Sequence, residues 1–179
     1  MTSAKLLYEP SHTPSSDPAS ILLAHDRWAT HAIIDRCRGL GEDRFHRVFE
    51  MGVGSLHDTL AHMLGALQGW GHLLAGREPG EWIEKQGPFS CDRLAALLDE
   101  FSDDFAAHAP PVMDAAEIVT GERGGKTWSF TRGAVVTHVA THGMHHRAQC
   151  VNMLRQLGDE GPWRVSVVEW MRSQNNEQT

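Results

Sequence analysis

Apolar side chains recur along this chain at the three- and four-residue spacing of amphipathic helices, in four separate segments. These segments span about residues 17–40, 55–75, 90–108 and 131–157. Each one begins at Asp, Ser or Thr, the residues that cap helix N-termini, and Gly or Pro follows its last turn. The pattern therefore predicts four long helices.

The segment between the third and fourth predicted helices has a different pattern. Residues 117–120 and 126–130 contain β-branched and aromatic side chains, and they flank a glycine-rich turn at 121–125. A two-stranded hairpin is marginal alone, so the helices should decide the fold. A shorter helix is expected at about 162–172. We predict an all-α fold, an antiparallel four-helix bundle in which a short hairpin can precede the fourth long helix.

Length and composition fit a single helical domain. The chain has 179 residues, and we expect a flexible N-terminal arm at 1–16 and one domain at 17–179. A net charge of −7 gives no electrostatic basis for binding nucleic acid. No apolar run approaches the roughly 20 residues of a membrane span, and residues 1–20 lack the apolar core of a signal peptide. We therefore expect a cytoplasmic protein without nucleic-acid or membrane partners.

The fourth predicted helix carries the clearest candidate chemistry. His138, His142 and His146 follow one another at four-residue spacing, which places three imidazoles on one helix face. Neighbouring imidazoles can bind a divalent metal ion, but zinc sites need three or four ligands and one helix cannot complete such a site. The chain has 12 histidines, so metal binding and ordinary boundary roles both stay open on spacing alone.

The second predicted helix offers the missing ligand. His62 shares its face with Gly65, Ala66 and Gly69, and this small-residue stripe either lets another helix approach closely or leaves a cavity beside the imidazole. His57 points roughly 140° away from His62, at about 100° per residue. His62 is therefore the better candidate ligand.

Several segments together resemble the DinB/YfiT-like family of damage-inducible bundle proteins. They are residues 25–28 (HDRW), residues 55–64 (SLHDTLAHML) with Trp70 after them, residues 138–149 (HVATHGMHHRAQ) and residues 154–158 (LRQLG). These segments span the chain from about residue 20 to 158 in the family's order and spacing. The combination is more specific than any single motif.

The resemblance implies that His62, His142 and His146 are the metal ligands, which agrees with the choice of His62 from helix geometry. It also implies an up-down bundle with a crossover connection, and a homodimer. His138 is then either an ordinary boundary residue, which we favour, or a hydrogen-bonding neighbour of the site. Cys150 continues the histidine stripe, and we expect a buried free thiol rather than a ligand.

The chain departs from the family pattern at three places. Leu and Gln occupy 67–68, where the family often has an acidic residue, Ala148 interrupts the usual HRGQ sequence, and Thr30 replaces a common Asn. None of these departures removes a ligand. Arg147 and Gln149 flank the site, and we expect them to form interhelix hydrogen bonds or to contact solvent.

Three neutral ligands would leave a divalent charge uncompensated and at least one coordination position open, as in catalytic sites. Such an ion can activate water, polarise a carbonyl or bind a thiolate. The resemblance implies the last of these, because relatives include metal-dependent transferases for bacillithiol and mycothiol and a mycothiol-dependent maleylpyruvate isomerase. We therefore expect an S-transferase-like enzyme that activates a low-molecular-weight thiol against an electrophile. Zn or Ni is the expected metal, and Fe or Cu also suits imidazole ligands.

Two alternatives stay open at this point. One is a non-enzymatic, dimeric metal-binding module of a stress response, and the other is a hydrolase that uses metal-bound water. No residue is identified as a nucleophile or general base. The three cysteines are odd in number and widely spaced, so a disulfide framework is not expected.

Overall fold

A computed structural model describes residues 17–109 and 114–176. Over these residues the chain is mostly helical, with one two-stranded antiparallel sheet. The helices are α1 Pro18–Cys37, α2 Glu42–Phe45, α3 Leu56–Leu74, α4 Cys91–His108, α5 Arg132–Gln156 and α6 Val167–Asn176, with a 3-10 helix at Ile83–Lys85; the strands are β1 Ile118–Arg123 and β2 Lys126–Thr131. The predicted N-terminal arm at 1–16 lies outside the described residues.

The four predicted helix starts are confirmed by their caps. The side chains of Asp17, Ser55, Ser90 and Thr131 each accept a hydrogen bond from a backbone N–H three residues later, at 2.8 to 3.2 Å. These caps satisfy donors that the first turn of a helix otherwise leaves without partners. Four of the six α-helices among the described residues therefore begin where the sequence predicts.

Two other boundaries were less accurate, the end of α1 and the start of the terminal helix, whereas α3, α4 and α5 end within one residue of the predicted positions. α1 ends at Cys37 and not at about Leu40, because Gly39 and Gly41 flank Leu40 and glycine favours a turn over a helix. The terminal helix begins at Val167 and not at about residue 162. Its start follows Ser166, which exchanges hydrogen bonds with Glu169 in the manner of a capping box. The four-residue helix α2 was not predicted.

The predicted hairpin is confirmed, and glycine positions explain its placement. β1 pairs with β2 in the register that sets Gly121 opposite Trp128. Gly124 and Gly125 at the turn have φ of 59° and 71°, which two-residue hairpin turns of type I′ require. A Cβ on Gly121 would lie 2.7 Å from Cδ1 of Leu73. Glycine therefore lets the hairpin pack closely against α3, which supplies the support that an isolated hairpin lacks.

The four long helices surround one apolar core. α1 contacts α4 and α5, and α3 contacts the same two helices. Each long helix contributes side chains with at most 1 % exposure, among them Ile33, Leu60, Leu98 and Leu154. All three cysteines are free thiols. Within the described residues, no helix is both long and apolar enough to cross a membrane.

Contacts along the helices give their relative directions. Arg27 pairs with Asp99, whereas Arg38, eleven positions later, pairs with Asp92, so α1 and α4 run in opposite directions. α3 and α4 run in the same direction, so the predicted antiparallel arrangement does not hold for this pair. The start of α3 at His57 meets the backbone just before α4, and Gly71 near its end packs on Phe105 near the end of α4. A parallel pair needs a crossover connection, which residues 75–90 provide.

Candidate metal centre

α3 and α5 bring His62, His142 and His146 together. Nε2 of His142 lies 3.2 Å from Nε2 of His62 and 3.1 Å from Nε2 of His146. One ligand atom from each histidine lies within 4.8 Å of the others. Nitrogen ligands bound tetrahedrally at 2.0–2.1 Å from zinc are about 3.3 Å apart. Both distances from His142 therefore match the spacing of two nitrogen ligands on a single ion.

The opposite nitrogens of two of these rings have hydrogen-bond acceptors. Nδ1–H of His146 donates to Oε1 of Gln149 at 2.8 Å, and Nδ1 of His62 lies 3.3 Å from Oε1 of Glu84. An acceptor at Nδ1 holds the proton there and leaves the Nε2 lone pair free for a metal ion. The donor set thus fits a divalent metal bound by imidazole.

Burial favours the neutral form of His142 and His146. Desolvation, with smaller contributions from the neighbouring His146 and His62, lowers the pKa of His142 to about 4. Desolvation also lowers the pKa of His146, against the opposing hydrogen bond to Gln149. Both rings are therefore neutral near pH 7, and the neutral ring is the form that binds metal.

The other members of the histidine stripe lie outside this group. His138 is exposed, and its ring contacts His142 at a centroid distance of 5.3 Å. Cys150 is fully buried, and burial raises the pKa of its thiol to about 12. The expected buried free thiol is therefore confirmed.

An aromatic row extends from His138 to the exposed end of the hairpin. Trp70 contacts His138 edge-on at 5.0 Å between centroids, and Phe130 contacts Trp70 edge-on at 5.4 Å. Trp128 stacks on Phe130 at 6.3 Å, and its side chain is 49 % exposed. The row therefore connects the candidate ligand His142, through His138, to an exposed aromatic surface.

The small-residue stripe beside His62 has two roles. A Cβ on Gly65 would lie 2.6 Å from Oε2 of Glu84, so this glycine admits the 3-10 helix Ile83–Lys85 and not a long helix. Ala66 instead lines a cavity of about 10 Å³ next to His142, large enough for about one water molecule. At Gly69, an added Cβ would meet no atom of the described residues within 4 Å.

A buried ion pair lies behind the histidines. Nη1 of Arg147 donates to Oδ1 of Asp26 and, at 3.3 Å, to Oγ1 of Thr30. Burial raises the pKa of Asp26, and the Arg147 guanidinium opposes that shift. The interhelix hydrogen bonds expected of Arg147 are therefore confirmed. Its partner Asp26 was not identified from the sequence.

Two outer contacts also escaped the sequence reasoning. Glu84 lies in an irregular segment without helical periodicity, and the only available signal was the missing side chain at Gly65. Gln149 bridges His146 to His145, whose Nε2 lies 3.0 Å from the amide nitrogen. A Cβ on Gly52 would overlap Oε1 of Gln149, so the loop before α3 also packs on this amide.

Comparison with known proteins places the chain in a family. The family model described as DinB family matches residues 15–177. The crystal structure of a DinB-like protein from Bacillus cereus ATCC 10987 is similar, with a TM-score of 0.60 and 17% sequence identity, covering 79% of this chain and 93% of that one. This likeness shows the fold alone. No curated protein matches the chain. Because the family match spans nearly the whole chain, the protein belongs to the DinB family.

Proposed function

We propose that this protein binds a divalent metal ion through His62, His142 and His146 and catalyses S-transfer from a low-molecular-weight thiol to an electrophile. The supporting observation is the convergence of three Nε2 atoms at 3.1–3.2 Å along the chain of rings. Zn or Ni is the expected metal, and Fe or Cu is compatible with the same ligands. When bound, the ion would supply positive charge that favours the thiolate over the thiol.

The proposed reaction balances as a simple substitution. The thiol loses its proton to solvent, its sulfur forms a bond to the electrophilic carbon, and the leaving group departs with the bonding electron pair. Burial keeps His142 and His146 neutral at neutral pH, so each ring has a lone pair that can bind the ion that this chemistry needs.

The aromatic row supports a small-molecule electrophile as the second substrate. The row contains three uncharged, partly exposed side chains. Trp70 is linked to His142 through the ring of His138, and Phe130 and then Trp128 continue the row away from it. Aromatic faces and edges bind planar apolar groups well. We therefore propose that this row holds the apolar part of the electrophile.

Metal analysis of the purified protein is the first test. We expect stoichiometric metal in the wild type and its loss in His62→Ala. His72→Ala is the matched control, because His72 lies on the same helix and its ring hydrogen-bonds to a backbone carbonyl, that of Glu78. The metal site would be refuted if the wild type held no stoichiometric metal and His62→Ala left the metal content unchanged.

Activity assays then separate the candidate functions. Metal-loaded protein is tested with a panel of electrophiles and small thiols, and the proposal requires turnover that depends on both metal and thiol. Turnover with metal but without thiol would favour the hydrolase. Metal binding without any turnover would favour a non-enzymatic module of a stress response.

Two further expectations belong to the proposal. The antiparallel contacts between α1 and α4 support a four-helix bundle with a crossover between α3 and α4. The resemblance also implies a homodimer, which light scattering of the purified protein would test. A monomer at micromolar concentration would contradict the dimer without affecting the metal site.

A further inference from the structure

Glu84 reaches the histidine group from outside the four long helices. It lies on the 3-10 helix Ile83–Lys85, and its Oε1 is 3.3 Å from Nδ1 of His62. This nitrogen is on the opposite side of the ring from Nε2, which faces His142. The side chains of His62 and Glu84 are 32% and 29% exposed, so solvent screens their interaction only in part.

The position of the carboxylate is built into the fold. Ile83 is 2 % exposed and anchors the 3-10 helix in the core. Gly65 on α3 provides the space, because a Cβ there would lie 2.6 Å from Oε2 of Glu84 and 2.8 Å from Cγ2 of Ile83. The buried Ile83 fixes the position of the 3-10 helix, and the missing side chain at Gly65 leaves room for the Glu84 carboxylate beside His62.

We propose that Glu84 is a positioning residue that raises the metal affinity of the histidine group and links metal binding to the docking of the 3-10 helix on α3. A carboxylate that accepts Nδ1–H makes the imidazole a more basic ligand. The linkage is reciprocal, so a bound ion strengthens the His62–Glu84 contact by the same factor. His146 has the neutral amide of Gln149 in the equivalent place. The inference rests on the proposed metal site.

Zinc affinity, measured by competition with a chromogenic chelator, tests the charge of Glu84. Glu84→Gln keeps an oxygen acceptor and removes the charge, and we expect an affinity about 10-fold lower, within the range of about 10–100-fold known for outer-sphere partners. Glu84→Ala should lose at least as much. Glu81→Gln is the control, because it removes the same charge three positions earlier at an exposed side chain outside these contacts. We expect it to change the zinc affinity by less than about twofold.

A charge relocation separates this role from a general structural one. Gln149→Glu in the Glu84→Gln background moves the carboxylate from His62 to His146, and we expect it to restore most of the lost affinity. Hydrogen exchange supplies a second readout. Zinc should slow amide exchange at residues 83–85 in the wild type, and this protection should be lost in Glu84→Gln.

The outcomes distinguish the two levels of the hypothesis. A wild type that binds no zinc would refute the metal site and this inference with it. Normal zinc binding by the wild type, with Glu84→Gln within about twofold of it, would overturn the role of Glu84 alone. Glu84→Gln could also lower the melting temperature of the metal-free protein. In that case the double variant Glu84→Gln/Gln149→Glu is the deciding test, and a zinc affinity no higher than that of Glu84→Gln alone overturns the inference.

Discussion

Replacing Gly143 by alanine tests whether the buried ion pair behind the histidines needs a bare helix face. Gly143 lies on α5 one turn before Arg147 and faces α1. A Cβ at this position would overlap Oδ1 of Asp26 and lie 2.8 Å from Nη1 of Arg147. The substitution must therefore displace at least one charged group of a buried pair.

Two opposing effects decide the sign of the change. In a helix interior, alanine is favoured over glycine by about 0.8–1.0 kcal/mol. The side chains of Asp26 and Arg147 are only 13% and 6% exposed, and breaking such a buried pair costs about 3–5 kcal/mol. The second effect is larger. Gly143→Ala should therefore destabilise the protein by about 2–4 kcal/mol.

Urea unfolding of the metal-free protein at pH 7 measures this difference. Gly69→Ala on α3 is the matched control, since Gly69 is an exposed helical glycine and the added Cβ would meet no described atom within 4 Å beyond its chain neighbours and its own helix backbone. We expect Gly69→Ala to stabilise the protein by about 0.8–1.0 kcal/mol. If Gly143→Ala were as stable as Gly69→Ala, the ion pair would not be held as tightly as the structure indicates.

Three further predictions concern pH, the metal and the thiols. The pKa of His142 is about 4 in the folded chain and about 6.5 in the unfolded one, so the unfolded chain binds more protons between these values. Stability of the metal-free protein should then fall by about 1–2 kcal/mol from pH 6.5 to 4, after allowance for partial exposure, and a rise in urea titrations would contradict this. Gly65→Ala should weaken zinc affinity about 10-fold in the chelator assay by displacing Glu84. Unchanged affinity would show that the 3-10 helix Ile83–Lys85 shifts without loss of the Glu84 contact. Cys37 and Cys150 should react with a disulfide reagent only as the protein unfolds, because burial raises the pKa of both thiols, and rapid labelling of folded protein would refute this.

The long helices could be predicted because their signals are local. A cap such as Ser55 or Thr131 acts within four residues of itself, and apolar periodicity needs only the helix's own side chains. The four-residue helix α2 is too short to show a period. At the C-terminus, Pro162 suggested an early start, but the hydrogen bonds of Ser166 with Glu169 set the true one.

The candidate site was predictable only in part, for a related reason. His142 and His146 share a helix turn, and His62 was found through the face that it occupies on its own helix. The contacts of Glu84 and Asp26 join elements that are far apart in sequence. Glu84 reaches a residue 22 positions away, and Asp26 pairs with Arg147 at a separation of 121. No helical period specifies such distances, so the structure was needed to find them.

The ion pair and the histidine group constrain the same helix from two sides. A helix turns by about 100° per residue, so Arg147 and His146 point to different neighbours although they are adjacent in sequence. Arg147 pairs with Asp26 on α1, and His146 faces His62 on α3. A rotation of α5 by one residue would leave Arg147 buried without its partner, at a cost of several kcal/mol. The same rotation would turn His146 away from His62, so the pairing that fixes α5 against α1 also keeps its histidines directed at α3.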